Sequence, residues 1–89
     1  MNVRVHFFGN YRSIAQKAEQ TIELHEDATI RELLDSLIDQ YTKMSATLSY
    51  DKITKSNVLI ICGESPVHNY NKILREGDQL YLFIMLAGG

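Results

Sequence analysis

The stretch "TIRELLDSLIDQY", residues 29–41, decides the fold of this chain. Thr29 and Glu32 stand three residues apart at its start, the spacing of a capping box, in which each side chain bonds the other residue's backbone N–H. The apolar residues of the stretch recur at helical spacing, and they are Ile30, Leu33, Leu34, Leu37, Ile38 and Tyr41. The stretch therefore predicts one amphipathic helix with a single apolar face to bury.

The chain on both sides of this helix has the apolar pattern of β-strands. Residues 3–8 and 19–24 alternate between apolar and polar side chains, as half-buried strands do. Residues 57–62 form a nearly continuous apolar run of the kind found in the middle of a sheet. Residues 79–86 form the last predicted strand, and Val67 is predicted to join a short edge strand.

The connecting segments are less regular. Residues 9–18 place apolar side chains at helical spacing and predict a short helical segment. Residues 42–56 are polar with scattered apolar side chains, and we expect an irregular excursion there. The segment 71–74 is predicted to make one helical turn, and Gly77 in the next segment indicates a tight turn before the last strand.

The order strand, strand, helix, strand, short strand, strand defines a fold class. One amphipathic helix has one face to bury, and a mixed sheet of four to five strands offers one face to receive it. We therefore predict an α+β chain with the β-grasp fold, in which the first and last strands run parallel at the centre of the sheet. The 89 residues are enough for a single domain spanning 1–89.

Composition argues against several classes of function. The net charge of −2, with both signs interspersed, gives no electrostatic case for a nucleic-acid partner. The longest apolar run, residues 80–87, is far shorter than the roughly 20 residues of a membrane helix. A single cysteine forms no internal disulfide, and the first ten residues lack the apolar core of a signal peptide. We expect a soluble cytoplasmic domain without a membrane partner.

The chain offers few residues for catalysis or metal binding. His6, His25, His68 and Cys62 are the usual candidates, but their separations match no zinc or nucleophile template. Cys62 ends an apolar strand, so we expect it to be a small core residue. No metal site is predicted, and nothing places a nucleophile beside a base, so the chain is not expected to be an enzyme.

The strand pattern leaves aromatic side chains on the face of the sheet that points away from the helix. Phe8 falls on that face in the first strand, and Tyr81, Phe83 and Met85 fall on it in the last strand. A solvated sheet face is normally polar, so an exposed aromatic cluster indicates an interface. The alternative is that residues 42–56 fold over this face and bury it.

The chain resembles the ubiquitin-like sulfur carriers of the MoaD and ThiS families over nearly its whole length. Three stretches carry the resemblance: "VRVHFFGNYRSIA" (3–15), "TIRELLDSLIDQY" (29–41) and "REGDQLYLFIMLAGG" (75–89). The opening and the length are most like MoaD, the small subunit of molybdopterin synthase. Ile84 and Met85 replace the proline pair typical of MoaD and are closer to ThiS. Archaeal ubiquitin-like modifiers share the same outline and remain an alternative.

The resemblance implies a function for the end of the chain. In these families an ATP-using enzyme of the ubiquitin-activating type adenylates the final glycine, and sulfur then displaces the adenylate to give a thiocarboxylate. Gly89 would carry this chemistry, while Ala87 and Gly88 would thread through a narrow channel, because glycine has no Cβ to clash. The chain would hold no cofactor of its own, since ATP is used by the activating partner. The alternative is a frayed terminus without function.

The resemblance also implies partners that accept the sulfur. The large subunit of molybdopterin synthase or thiazole synthase would receive it, and the MoaD partner surface includes positions matching Phe8, Val67 and Phe83. Tyr81 and Met85 extend that surface by their position in the strand. The leading hypothesis is a non-enzymatic sulfur carrier for molybdopterin. The alternatives are a modifier joined to lysines of other proteins and a ThiS-type carrier for the thiazole of thiamine.

Overall fold

The computed structural model describes residues 1–85, and residues 86–89 lie outside the described part. Within residues 1–85 the chain forms one mixed sheet with a helix across one face. Its strands are β1 (Asn2–Phe7), β2 (Glu19–Glu23), β3 (Val58–Cys62), β4 (Ser65–Pro66) and β5 (Gln79–Ile84). Its α-helices are α1 (Asn10–Ala15), α2 (Ile30–Gln40) and α3 (Ser45–Leu48), and 3₁₀ helices occupy Thr42–Met44 and Ile53–Lys55.

The sheet has the predicted β-grasp topology. The strand order is β2-β1-β5-β3-β4, with β1 and β5 parallel and every other neighbouring pair antiparallel. The parallel pairing aligns Val5 with Leu80 and Phe7 with Leu82, so these four side chains share the face toward α2. The predicted parallel pairing of the first and last strands is therefore confirmed.

The hydrophobic core lies between this face and α2. The helix buries four apolar side chains, which are Ile30, Leu33, Leu34 and Leu37. They join one cluster with the inward-facing residues of β1 and β5. Each fully buried side chain of this size stabilises the fold by roughly 1.5–3 kcal/mol relative to an exposed one. No helix in the described part of the chain is long and apolar enough to cross a membrane.

The segment 42–56 is more regular than predicted. It forms α3 between two short 3₁₀ helices, and its scattered apolar residues Met44, Leu48 and Ile53 are buried in the core cluster. Short helical turns let a polar segment pair its backbone groups while it inserts one apolar side chain at a time. Because these side chains enter the core on the side of α2, the segment does not cover the opposite face, and that alternative is wrong.

Two smaller predictions also need correction. The segment 71–74 makes no helical turn; instead Ile73 forms an isolated antiparallel bridge with Thr29, and the Leu74 N–H donates to the Ala28 carbonyl at 2.8 Å. This pairing ties the segment to the start of α2 and buries Leu74. The short edge strand is Ser65–Pro66, so it ends before Val67.

Replacing Thr29 by alanine tests the capping box that starts α2. The Glu32 N–H donates to Thr29 Oγ1 at 3.2 Å, and the Thr29 N–H donates to Glu32 Oε1 at 3.2 Å. Thr29→Ala should lower the free energy of unfolding by about 1 kcal/mol, because an N-terminal backbone donor loses its acceptor. Urea denaturation measures the loss. The exposed Thr54→Ala is the control and should stay within about 0.5 kcal/mol of the unchanged protein; equal losses in both variants would contradict a capping effect.

Candidate functional site

The face of the sheet opposite α2 carries a row of stacked rings. Phe7 is aligned with Leu82, so the next residues along the two parallel strands, Phe8 and Phe83, lie side by side on the other face. Their ring centroids are 4.4 Å apart, with an angle of 9° between the planes. The Phe8 ring also lies 6.4 Å from the ring of Tyr81. The predicted outward orientation of these three rings is confirmed.

Polar side chains surround the end of this row that lies at the start of β5. The His6 ring stacks on Tyr81 with centroids 4.5 Å apart and planes 10° apart. His6 Nε2 lies 2.7 Å from Gln79 Oε1, and His6 Nδ1 lies 3.4 Å from Glu19 Oε2. The row is therefore polar where β5 begins and apolar where β5 ends, next to residues 86–89.

Strand β3 widens this surface with aliphatic side chains that the sequence interpretation did not assign to it. Leu59 pairs with Phe83 and Ile61 pairs with Tyr81, so both face outward, and both are half-buried. The signal was present in the sequence. A strand that is apolar at every position, in a sheet covered by a helix on one face only, must place apolar side chains on the second face as well.

We call this surface the aromatic face and define it by six residues, which are Phe8, Leu59, Ile61, Tyr81, Phe83 and Met85. Phe8 is 39% exposed and Met85 is 56% exposed, so the face is open to a partner at the end of β5. Its three aromatic side chains are stacked on one another, and its residues lie on or next to three neighbouring strands, β1, β5 and β3. Exposed apolar surfaces of this kind are typical of protein-binding sites, so this face is the candidate docking surface.

Four of the five residues predicted for the partner surface lie together on this face, namely Phe8, Tyr81, Phe83 and Met85. Val67 does not join them. Its N–H donates to the carbonyl of Ile60 at 2.8 Å, and its side chain packs against the core cluster. Val67 lies opposite Ile60 in the antiparallel pairing, and Ile60 is buried in the core, so the two side chains share the face toward α2.

The described residues contain no constellation suited to catalysis. Residues 1–85 hold no group of three or more His, Cys, Asp or Glu side chains that could bind a metal ion. Cys62 is 7% exposed, and burial raises the pKa of its thiol above the ordinary value, so the reactive thiolate is disfavoured.

The predicted modification site, Gly89, and the threading residues Ala87 and Gly88 lie outside the described residues. The structure does show the strand from which they continue. Strand β5 is paired on both sides, with β1 and with β3, and the Met85 N–H donates to the Asn57 carbonyl at 2.6 Å beyond its last residue. The backbone is therefore held by the sheet up to Met85.

The β-grasp sheet with one helix across it is the fold of ubiquitin-like proteins. Residues 5–89 match the ThiS family, and the chain belongs to this family. It is similar to the molybdopterin synthase sulfur carrier subunit of Drosophila melanogaster, with 30% identity over 91 residues that cover 100% of this chain and 92% of that protein.

Two solved structures share the fold. The crystal structure of SAMP1 from Haloferax volcanii superposes with a TM-score of 0.85 at 19% identity, covering 100% of both chains. One chain in the complex of subunits 1 and 2 of molybdopterin-converting factor from Helicobacter pylori superposes with a TM-score of 0.61 at 22% identity, again covering 100% of both chains. At these identities the likeness supports the fold alone.

Proposed function

We propose that this chain is a sulfur carrier protein that serves molybdopterin synthesis as the small subunit of molybdopterin synthase. One observation carries the proposal. The ThiS family match runs through Gly89, so it includes the Ala87-Gly88-Gly89 ending, and a carrier subunit from Drosophila melanogaster is 30% identical over the whole chain. The chain is then a carrier with no active site of its own, and catalysis belongs to its partners.

The proposed chemistry takes place at the carboxylate of Gly89. A carboxylate is a poor electrophile, so an adenylating enzyme of the ubiquitin-activating type joins it to AMP from ATP and releases pyrophosphate. A sulfur donor at the oxidation level of sulfide then attacks the acyl carbon, AMP leaves with the electrons of the broken C–O bond, and the product is a thiocarboxylate, which is a good nucleophile at neutral pH. The chain holds no cofactor in this scheme, because ATP is bound by the activating enzyme. These steps use cytoplasmic ATP, and we place the protein in the cytoplasm for that reason.

The aromatic face is the proposed contact with the partners. The relative from Drosophila melanogaster is a subunit of molybdopterin synthase, which supports the large subunit of that enzyme as the docking partner here. The Helicobacter pylori protein with this fold occurs in a complex of subunits 1 and 2. Four residues follow Met85, and four residues span at most about 14 Å. A partner bound to the aromatic face must therefore keep its sulfur-accepting site within that distance of Met85.

Two alternative functions use the same ending. A modifier that joins Gly89 to lysines of other proteins is the first alternative, and the modifier protein SAMP1 from Haloferax volcanii shares the fold. The ThiS family match supports a carrier that delivers sulfur to thiazole synthase. All three functions need activation of Gly89, and they differ in what the activated glycine reacts with next.

The state of Gly89 in the native cell tests the proposal. Intact-mass spectrometry with a C-terminal fragment should find sulfur in place of one oxygen at Gly89 in part of the isolated protein. A chain lacking Gly89 is the control and should carry no sulfur at its end. If Gly89 occurs only in isopeptide bonds to lysines, with no thiocarboxylate under any growth condition, the carrier proposal fails and the modifier function replaces it.

A further inference from the structure

His6 extends the aromatic face toward β2 with a ring that can gain or lose a proton. Its side chain points outward from β1, between Glu19 of β2 and Tyr81 of β5, which are its neighbours in the two strand pairings. The imidazole stacks on the Tyr81 ring with centroids 4.5 Å apart and planes 10° apart. The row of stacked rings therefore continues onto a side chain that can carry a positive charge.

Both ring nitrogens of His6 face side-chain oxygens. Nε2 lies 2.7 Å from Gln79 Oε1, and Nδ1 lies 3.4 Å from Glu19 Oε2. A neutral imidazole donates from one nitrogen only, whereas an imidazolium donates from both, so these contacts suit the charged ring. If the Gln79 amide turns over, its NH₂ group faces Nε2, and the same site then holds the neutral ring with its Nδ1–H toward Glu19. His6 can therefore change its charge without a change of fold.

The charged groups around His6 are Glu19 and, through Glu19, Arg4. Arg4 Nη1 lies 3.4 Å from Glu19 Oε1, while His6 lies beside the other carboxylate oxygen. From β5, His6 faces Gln79 and the phenol of Tyr81. The side chains of Arg4 and Glu19 are 48% and 49% exposed, and that of His6 is 20% exposed. In the free chain, water therefore screens the attraction between Glu19 and a charged His6.

A partner docked on the aromatic face is expected to cover His6 as well. A stable protein interface uses roughly 20–30 residues on each side, so the aromatic face supplies only its apolar centre. The contact must continue over neighbouring side chains of the same sheet face, and His6 is stacked directly on Tyr81. Removal of water there strengthens the attraction between Glu19 and a charged His6, because the local dielectric constant falls. The charged ring also gains more from the Tyr81 ring once both are desolvated.

We propose that docking of a protein partner on the aromatic face is coupled to the uptake of a proton at His6. This inference rests on the docking role that the proposed function gives to the face. The complex then binds more protons than the separated proteins, so the association constant rises as the pH falls through the titration range of His6. At lower pH His6 is protonated in both states, and its contribution no longer changes with pH. The partner needs no charge of its own opposite His6, since Glu19 belongs to this chain.

Calorimetric titration of the full chain with the large subunit of molybdopterin synthase tests the inference. Phosphate and Tris buffers differ strongly in their heats of ionisation, so the difference between the two measured heats of binding gives the number of protons taken up. Docking near neutral pH should take up a fraction of one proton. The association constant should accordingly rise about threefold for each unit by which the pH falls between about 8 and 6.

Two matched histidine variants assign the proton. In His6→Gln the new side chain can still form hydrogen bonds beside Gln79 and Glu19, but it cannot take up a proton, so the uptake should disappear. His68→Gln makes the same change at an exposed histidine outside the aromatic face and should retain the full uptake. Near pH 6, His6→Gln should therefore bind at least about threefold more weakly than His68→Gln.

NMR of the unmodified chain measures the same effect without any variant. The imidazole nitrogen signals of His6 report its protonation directly, and the midpoint of their titration should lie at higher pH in the complex than in the free chain. The midpoint for His68 should be the same in both. An unchanged midpoint for His6 would contradict the inference.

The remaining outcomes separate this inference from the proposed function. Equal proton uptake by His6→Gln and His68→Gln would assign the proton to another group and refute the role of His6. Binding of the large subunit without proton uptake would overturn this inference alone. Absence of binding at every pH would overturn the proposed function together with the inference.

Discussion

Gly88→Val is expected to abolish adenylation of the chain while leaving the domain folded. The valine side chain is branched at Cβ, which restricts the backbone and adds bulk where a narrow channel must pass the chain. Displacing the reacting carboxylate by about 1 Å costs on the order of 100-fold in rate, so adenylation should fall by at least that factor. Glycine has no side chain, so the variant removes none from the core cluster, whose last buried member among residues 1–85 is Leu82. Pyrophosphate exchange by the cognate activating enzyme measures the rate, and urea denaturation measures the stability.

A matched variant distinguishes hindered passage of Gly88 through the channel from a general effect of introducing valine near the chain end. Leu86→Val places the same side chain two residues earlier, outside the Gly-Gly pair, and should be adenylated at a nearly normal rate. Removal of Gly89 should also end adenylation, because the acyl group that reacts is displaced by one residue. Normal adenylation of Gly88→Val would refute the argument that the chain end must pass through a narrow channel. If Leu86→Val is not adenylated either, the channel restricts side chains before the two glycines too.

Phe83→Lys should weaken the proposed complex with the large subunit by about 2 kcal/mol or more, which is roughly 30-fold in dissociation constant. The phenyl ring lies in the middle of the aromatic face, and the substitution places a charge where the partner would exclude water. Stability should fall by only about 1 kcal/mol, since the variant loses the stack with Phe8 but no core contact. Calorimetric titration with the large subunit measures the affinity.

Ile73→Lys is the control for this substitution. Ile73 is also a large exposed apolar residue, 53% accessible, but it lies on another surface of the domain. The same introduced charge should therefore leave the affinity unchanged. If the two variants bind the partner equally well, the aromatic face is not the docking surface; if Phe83→Lys unfolds the domain, its ring contributes to stability far more than its stacking predicts.

The parts of the fold that the sequence predicted are those with a strong local signal. Helix α2 has a capping box at Thr29 and Glu32 and an unbroken apolar stripe, so both its start and its buried side were predictable. The alternation in β1 and β5 predicted which side chains face the core. With one helix to cover one face, these elements leave few arrangements other than the β-grasp.

The parts that were missed depend on contacts distant in sequence. Helix α3 spans only Ser45–Leu48, too short to show a helical period, and it forms because Met44 and Leu48 enter the core. Val67 faces the core because it continues the pairing of β4 opposite Ile60, whose side chain is buried; the family resemblance alone could not give this register. Nothing in the sequence distinguishes Arg31 from an ordinary solvated arginine on the polar side of a helix, since its burial arises from Leu48 on another segment.

The anchoring of β5 up to Met85 sets the effective concentration of the chain end at a partner's active site. With four residues beyond that anchor, Gly89 stays within about 14 Å of a fixed point, which corresponds to an effective concentration at least in the roughly millimolar range. Insertion into the active site of a partner already docked on the aromatic face is then an intramolecular step. The glycines themselves need almost no affinity for that site. The carrier that has given up its sulfur can therefore leave the site as readily as the carrier with a thiocarboxylate enters it.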